Sequence, residues 1–279
     1  MNILILANHY PVASGRYVRD ALRRLGHTVY TNGPARGNQI WGLHLPDGFE
    51  WTPEPPDGVY FDLEIVMDSD PVILDSVARI ERNTTPVVVW GVDNHVRDYR
   101  RPWFDHYYLA HLHPSIMPWL PDMTHVPCGY DPVLFTPSPI PFSERRYDVA
   151  ILGVMYPDRM RAVEELRGSG LKVIAGCGLV GESYVQAHHD SRIALCLPAT
   201  NDVAMRVMEC AAMGCLVMTP WLPDFTKLRP RGLYIVRAGA PLADQVREAM
   251  AYAEHIPEAQ AWAVNYQWDK LALQVLEGK

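Results

Sequence analysis

Short apolar runs alternate with amphipathic stretches along most of the chain. In the first half this alternation predicts strands over residues 3–7, 27–31, 61–67, 86–92 and 107–112, and helices over residues 15–25 and 72–81. Repeated strand–helix–strand steps of this kind are typical of a parallel sheet with helices packed on its faces. The first half is therefore predicted to be an α/β domain.

The alternation breaks between Pro127 and Phe142, where five prolines interrupt it, and then restarts. The second half predicts strands over 147–152, 171–175, 193–197, 216–219 and 233–236, and helices over 158–167, 183–190, 204–213, 242–255 and 265–276. A proline-rich break between two regular arrays is typical of an interdomain linker. We therefore expect an α/β fold of two Rossmann-like domains, 1–138 and 139–262, with a cleft between them and a closing helix, 263–279, packing back on the first domain.

Composition narrows the class of protein. The residues are 48% hydrophobic and 20% charged, as in ordinary globular enzymes, and the net charge of −7 gives no support to a mainly electrostatic grip on nucleic acid. The apolar run MNILIL is too short for a signal peptide and has no basic residue before it. No stretch approaches the length of a membrane span, and the five cysteines form no CxxC pair. We therefore expect a cytoplasmic protein with reduced thiols.

The predicted helix 204–213 carries Arg206 and Glu209 one turn apart, with Gly214 at its end. Its N-terminus follows a strand, so it should face the sheet edge where ligands of parallel sheets bind, and its dipole favours an anion there. Arg206 can fork onto a phosphate. An i,i+3 surface ion pair between Arg206 and Glu209 is the structural alternative.

Three stretches of the second half, VAILGVMYPDRMRAVEEL, SRIALCLPATNDVAMRVMECAAMGCLVMT and NYQWDKLALQVL, resemble the C-terminal domain of GT-B glycosyltransferases. The segment VPCGYDPVLF upstream is similar to one that these enzymes carry before that domain. The spacing R-x-x-E-x-x-x-x-G of Arg206, Glu209 and Gly214 resembles, in particular, the group similar to bacterial spore-maturation proteins. The resemblance covers roughly the last 155 residues.

The resemblance implies a hexosyl- or pentosyltransferase whose nucleotide-sugar donor, UDP-linked, binds the second domain without a metal or other cofactor. It implies a diphosphate contact for Arg206 and a ribose contact for Glu209. Arg159, which could equally stand in solvent, and Tyr130 and Gly176 are further donor-binding candidates. Many related enzymes place a lysine shortly after the first arginine, whereas this chain has Glu164 and Glu165 there.

The first domain would receive an acceptor that the sequence does not identify. Asp93 and His95 follow the most apolar strand, so they should lie at its carboxyl edge, where a carboxylate or imidazole can act as general base. His9 is a third candidate for this base, and Gly15 permits close approach of the backbone to the donor. The alternative for Asp93 and His95 is a turn that caps the next segment.

The sequence also allows alternative functional interpretations. Residues 176–181 match G-x-G-x-x-G, which would suit a nicotinamide oxidoreductase, although the acidic residue expected about 20 positions later is missing. Residues 68–70 read D-x-D, which could hold a metal but is better explained as a helix cap before Pro71. A catalytically silent nucleotide- or sugar-binding module is also possible. A transferase acting on a DNA base would need a basic patch, for which the chain offers Arg16, Arg19, Arg23 and Arg24.

Overall fold

The computed structural model describes residues 1–7, 13–33, 55–56, 58–67, 85–92, 104–111 and 123–278. The predicted helix 72–81 and the D-x-D motif at 68–70 lie outside these residues. The chain divides into two compact units. The first contains the described residues up to Cys128 together with the C-terminal stretch from Trp268, and the second runs from Gly129 to Gln267.

The described part of the first unit forms a six-stranded parallel sheet in the order β2-β1-β3-β4-β5-β6. The strands are β1 (Asn2–Leu6), β2 (Thr28–Asn32), β3 (Leu63–Val66), β4 (Val87–Gly91), β5 (His106–Leu109) and β6 (Thr124–His125). Helix α1 (Ser14–Arg24) connects β1 to β2. The sequence predicts all but β6, which at two residues is too short to show a period.

The last helix of the chain belongs to the first unit. Trp268, which begins it, is fully buried and makes an edge contact with Trp90, their ring centroids 5.4 Å apart. Asp269 receives two hydrogen bonds of 2.8 Å from the guanidinium of Arg24 on α1. Apolar burial and a bidentate ion pair therefore attach this helix to the first sheet and to α1.

The second unit has a five-stranded parallel sheet in the order β11-β10-β9-β7-β8. Its strands are β7 (Tyr147–Leu152), β8 (Val173–Gly176), β9 (Ser191–Leu195), β10 (Leu216–Pro220) and β11 (Tyr234–Val236). Its helices are α2 (Pro157–Gly168), α3 (Glu182–His189), α4 (Met205–Ala212), α5 (Phe225–Leu228), α6 (Leu242–Ala249) and α7 (Ile256–Ala263); α8 (Trp268–Leu276) is the helix of the first unit just described.

One predicted helix differs from the structure, and one observed helix is not predicted from the sequence. The stretch 242–255 is not one helix, because α6 ends at Ala249 and a 3₁₀ segment, Met250–His255, continues it. Helix α7 is not predicted from the sequence. In the structure Pro257 lies in the first turn of α7, where proline is tolerated because its missing N–H has no helical acceptor there.

All five strands of the second sheet run in one direction, so their carboxyl ends share an edge. The loops after β7, β8 and β9 leave the sheet at that edge, and α4 begins there. The sheet and its helices enclose a buried core of strand and helix side chains that includes Ile151, Leu166 and Val246. Across the described ranges, no helix is long and apolar enough to cross a membrane.

Candidate functional site

The guanidinium of Arg206 lies against the backbone of Gly153. Arg206 is in the first turn of α4, and Gly153 directly follows β7. A Cβ at position 153 would overlap Arg206 Nη2 and would stand 3.3 Å from Arg159 Nη1. The φ of +109° at Gly153 also favours glycine. Because Gly153 has no side chain, the guanidinium groups of Arg206 and Arg159 can both lie against its backbone at the carboxyl edge of the sheet.

Arg206 Nε is buried and has no hydrogen-bond partner within the part of the chain that the structure describes. A guanidinium carries five N–H donors, and a buried donor without an acceptor is costly. The first turn of α4 also lacks a side-chain cap, since its N-cap residue is Ala204. Unpaired donors and a helix N-terminus therefore converge where an anion would satisfy them.

Arg159 is buried, with only 5% of its surface exposed, so it is not the solvent-exposed arginine of the alternative interpretation. Its Nε and Nη2 donate to the carbonyl of Leu197 at 2.9 and 2.5 Å, and its Nη1 donates to the carbonyl of Val154 at 2.7 Å. Burial, together with the neighbouring charge of Arg206, lowers the pKa of Arg159 to about 10. Arg159 thus joins the loops after β7 and β9 and brings positive charge to Arg206.

Glu209 lies one turn after Arg206 and is buried, at 7% exposure. The hydroxyl of Tyr184, on α3, donates to Glu209 Oε2 at 3.0 Å. Burial raises the pKa of Glu209 to about 7, although the charge of Arg206 and the Tyr184 hydrogen bond act in the opposite direction. The charge of Arg206 acts on Glu209, but Glu209 is buried, so the surface-pair alternative does not describe these residues. Gly153, Arg159, Tyr184, Arg206 and Glu209 are called the arginine–glutamate site below.

Tyr184 is the residue that the sequence analysis missed. Its ring makes edge contacts with His188 and Phe135, at centroid distances of 4.6 and 6.1 Å. His188 is fully buried, and burial lowers its pKa to about 3, so it is neutral. Only the spacing of Tyr184 three residues after the last glycine of G-x-G-x-x-G links it to a loop, and this spacing alone does not indicate a role.

Two further donor-binding candidates lie in the second unit. Gly176 ends β8, and its carbonyl accepts a hydrogen bond of 2.8 Å from the N–H of Gly153, so it borders the arginine–glutamate site. Tyr130 is buried; its N–H donates to Tyr266 and its hydroxyl accepts a hydrogen bond from Gln267 at 3.2 Å. These contacts give Tyr130 a packing role within its unit.

The glycine motif 176–181 has an unusual location for a dinucleotide fingerprint. It follows β8, which is the edge strand of its sheet, whereas that fingerprint follows the first, central strand of its unit. The first strand of the sheet along the chain, β7, which lies inside the sheet, leads instead to the single glycine at position 153.

In the first unit, Gly15 is the second residue of α1 and is buried. The proposed general bases His9, Asp93 and His95 lie outside the described residues. The arginines of α1 have partners: Arg16 and Arg19 pair with Asp20, and Arg24 pairs with Asp269. Asp20 and Asp269 can balance only two of the four arginines of α1, so this helix keeps a net positive charge. In the described ranges, no group of three or more His, Cys, Asp or Glu side chains could hold a metal ion.

Comparison with known proteins supports this reading of the fold. Residues 140–269 match the model of a family described as glycosyl transferase-like. A comparison with curated protein sequences finds no match.

Solved structures match over the full length of the chain. AviGT4, a glycosyltransferase involved in avilamycin A biosynthesis, is 13% identical with a TM-score of 0.67, over 99% of this chain and 96% of its own. Sucrose-phosphate synthase from Thermosynechococcus elongatus is 12% identical with a TM-score of 0.63, over 99% and 98%. HepE from Anabaena in complex with UDP-glucose is 12% identical with a TM-score of 0.63, over 100% and 99%.

The predicted fold class is thereby confirmed. The chain has an α/β fold of two parallel sheets with flanking helices that matches the structures of GT-B glycosyltransferases, and its residues 140–269 match a glycosyl transferase-like family model.

Proposed function

We propose that this protein is a glycosyltransferase that takes a sugar from a nucleoside-diphosphate sugar, UDP-linked, and binds this donor at the arginine–glutamate site. The observation that carries the proposal is the Arg206 guanidinium, which lies near Arg159 and whose buried Nε has no hydrogen-bond partner among the described residues. Two neighbouring guanidinium groups repel each other, and an anion between them removes that repulsion.

A diphosphate fits the charges of the site. Arg206 offers a forked set of donors and the first turn of α4 offers free backbone N–H groups, while Arg159 adds positive charge behind them. Hydrogen bonds to the carbonyls of Leu197 and Val154 fix Arg159 before a ligand arrives. Preorganised donors stabilise the charge that develops on a departing diphosphate, and this is the catalytic contribution that we assign to the second unit.

Glu209 fits the ribose of the same donor. A buried carboxylate with one oxygen held by Tyr184 has its other oxygen available for hydroxyl donors. Ribose offers two adjacent hydroxyls, and both can donate to a carboxylate. Arg206 and Glu209, one helical turn apart, therefore match the spacing between a diphosphate and its ribose.

In the proposed reaction, an acceptor hydroxyl forms a bond to the anomeric carbon of the sugar, and the bond from that carbon to the diphosphate oxygen breaks. The electron pair leaves with the nucleoside diphosphate, whose charge the two arginines stabilise. The acceptor proton passes to a general base, for which Asp93, His95 and His9 remain our predictions. A bound metal ion is not part of this proposal.

The comparisons support the proposal at the level of the reaction class. The family model describes glycosyl transferase-like proteins, and HepE, which shares the fold, was solved with UDP-glucose and with UDP. UDP is accordingly the first nucleotide to test. The assignment to the spore-maturation-protein-like group and to hexosyl or pentosyl transfer remain predictions from the sequence.

A binding panel of UDP, GDP, CMP, UDP-sugars and NAD, read by thermal shift and calorimetry, tests the proposal. We expect wild type to bind one nucleoside diphosphate, and we expect Arg206→Gln and Glu209→Ala to lose that binding. The matched controls are Arg161→Gln and Glu164→Ala, which change exposed residues of α2 and should bind like wild type.

The outcomes separate the alternatives. Release of free sugar from a UDP-sugar by wild type, lost in Arg206→Gln, supports the transferase. Stabilisation by NAD alone would overturn it in favour of the oxidoreductase. Nucleotide binding without any turnover, across a panel of sugar and nucleic-acid acceptors, would favour the silent binding module.

A further inference from the structure

We propose that Tyr184 is a positioning residue for the donor: by holding Glu209 Oε2, it orients the carboxylate so that Oε1 faces the ribose hydroxyls. This inference rests on the proposed function and extends it to a residue outside the sequence motif. The two residues lie on different helices, α3 and α4, and are joined through a hydrogen bond of 3.0 Å.

The hydrogen bond is the sole one that the Glu209 side chain makes within the described ranges. Glu209 points into a buried environment, so an unanchored carboxylate there could rotate about its last two side-chain bonds. A single donor on one oxygen fixes the plane of the group and leaves the other oxygen without a protein donor. Tyr184 therefore sets which oxygen a ligand can use.

Tyr184 is itself held in place. Its ring contacts the edge of His188, which is fully buried and neutral, and the ring of Phe135. Burial and the nearby Glu209 charge raise the pKa of the Tyr184 hydroxyl well above its ordinary value, so the hydroxyl keeps its proton and acts as a donor. A rigid donor with a fixed proton suits a positioning role better than a flexible one.

The pH dependence of the site gives this role a measurable signature. The groups that interact with the Glu209 carboxyl include its two facing partners and two thiols nearby, namely Arg206, Tyr184, Cys196 and Cys210. Arg206 and Tyr184 favour the carboxylate, whereas burial favours the acid. Ribose hydroxyls bind best to the charged form. Removal of the Tyr184 hydroxyl should therefore shift the pH at which donor affinity is half-maximal to a higher value.

The experiment measures UDP affinity by calorimetry between pH 5.5 and 9 for wild type, Tyr184→Phe and the control Tyr147→Phe, which changes a tyrosine of β7 outside the site. We expect Tyr184→Phe to bind about tenfold more weakly at pH 7, because a hydrogen bond to a charged group is lost, with its pH midpoint raised. Tyr147→Phe should match wild type in both.

A double-mutant cycle with Glu209→Gln separates positioning from general packing. If Tyr184 acts through Glu209, Tyr184→Phe should change UDP affinity less than twofold in the Glu209→Gln background. An equal loss in both backgrounds, or an unchanged pH midpoint, would overturn the role of Tyr184 and leave the proposed function standing. If wild type binds no nucleoside diphosphate, both proposals fail together.

Discussion

The Arg206 guanidinium and the Gly153 backbone are packed so closely that no side chain fits between them. Gly153 follows strand β7, and its φ of +109° lies where glycine is favoured. The glycine thus serves as the surface on which Arg206 rests. This relationship makes the proposed anion site testable without changing any charge.

Replacement of Gly153 by alanine should displace Arg206 and weaken nucleotide binding. A Cβ at this position would overlap Nη2, and Arg206 would have to move away from its place beside Arg159. We expect UDP affinity to fall by about tenfold or more, which corresponds to the loss of one charge-assisted hydrogen bond. Calorimetry with UDP measures this change.

Gly170→Ala is the matched control for backbone strain. Gly170 also has a positive φ, of +84°, but a Cβ there would meet no atom within 4 Å. Both variants should lose about 1 kcal/mol of stability, because alanine adopts this conformation reluctantly. If Gly170→Ala weakened UDP binding as much as Gly153→Ala, general destabilisation would explain the effect and the Gly153–Arg206 contact would not.

The unfolding free energy of the protein should depend on pH because of Glu209. Its pKa is raised from 4.5 to about 7, so the folded state holds a proton that the unfolded state releases. The stabilisation from this proton is fully present below about pH 4.5 and is lost as the pH rises to about 7. We expect it to amount to at most about 3 kcal/mol of unfolding free energy. Urea unfolding at several pH values measures it.

Glu209→Gln removes this titration. The unfolding free energy of wild type should therefore fall relative to that of the variant as the pH rises from 5 to 8. Glu164→Gln alters an exposed glutamate of α2 and should stay parallel to wild type at every pH. A constant difference between wild type and Glu209→Gln would show that Glu209 is ionised throughout, contrary to this prediction.

The sequence predicts that Arg206 and Glu209 lie one turn apart on a helix that follows a strand, because the strand, the start of the helix and the spacing are all local features. Tyr184 was not predictable in this way. Its hydrogen bond to Glu209 spans 25 positions and depends on how α3 packs beside α4, which is tertiary information. Residues that act through a neighbour on another helix leave no local period.

The role of Glu165 also depends on contacts that are distant in sequence. It is one of the two glutamates that occupy the region where the resemblance led us to expect a lysine. Its Oε1 accepts hydrogen bonds from the N–H groups of Leu242 and Ala243, 77 and 78 positions away. Short-range apolar patterns predicted most strands and helices. They did not predict α7, since a proline can mark either the end of a helix or its first turn. Local patterns therefore predicted most of the secondary structure, whereas contacts between residues distant in sequence became apparent only in the structure.

Arg145 should be a stability residue with no part in nucleotide binding. It is buried, and its guanidinium donates to the carbonyls of Ile140, Ser191 and Gly214 at 3.2, 3.1 and 2.8 Å. Arg145→Met would remove these three hydrogen bonds from a buried site, so we expect a loss of about 2–4 kcal/mol in urea unfolding.

Its neighbour provides the comparison. Arg146 is exposed and its guanidinium lies over the ring of Tyr147, so Arg146→Met should change stability by less than about 0.5 kcal/mol. UDP affinity of the folded Arg145→Met protein should equal that of wild type. A specific loss of affinity in this variant would show that Arg145 contributes to the arginine–glutamate site.

Glu165 should stabilise α6 from a distance. The N-cap position of α6 is Pro241, which has no side-chain acceptor, and Glu165 Oε1 takes that role by accepting from Leu242 N–H at 2.6 Å and Ala243 N–H at 3.2 Å. A carboxylate at a helix N-terminus also interacts favourably with the helix dipole. Glu165→Ala should therefore cost about 1 kcal/mol in urea unfolding.

Glu164→Ala, on the adjacent exposed position of α2, should leave stability within about 0.5 kcal/mol of wild type, since no cap is lost. Glu165→Lys is the more informative change, because it restores the residue type found in many related enzymes. If the position served phosphate binding, lysine would tighten UDP binding. We expect instead an unchanged UDP affinity and a loss of stability larger than that of Glu165→Ala, because a cation then faces the positive end of α6.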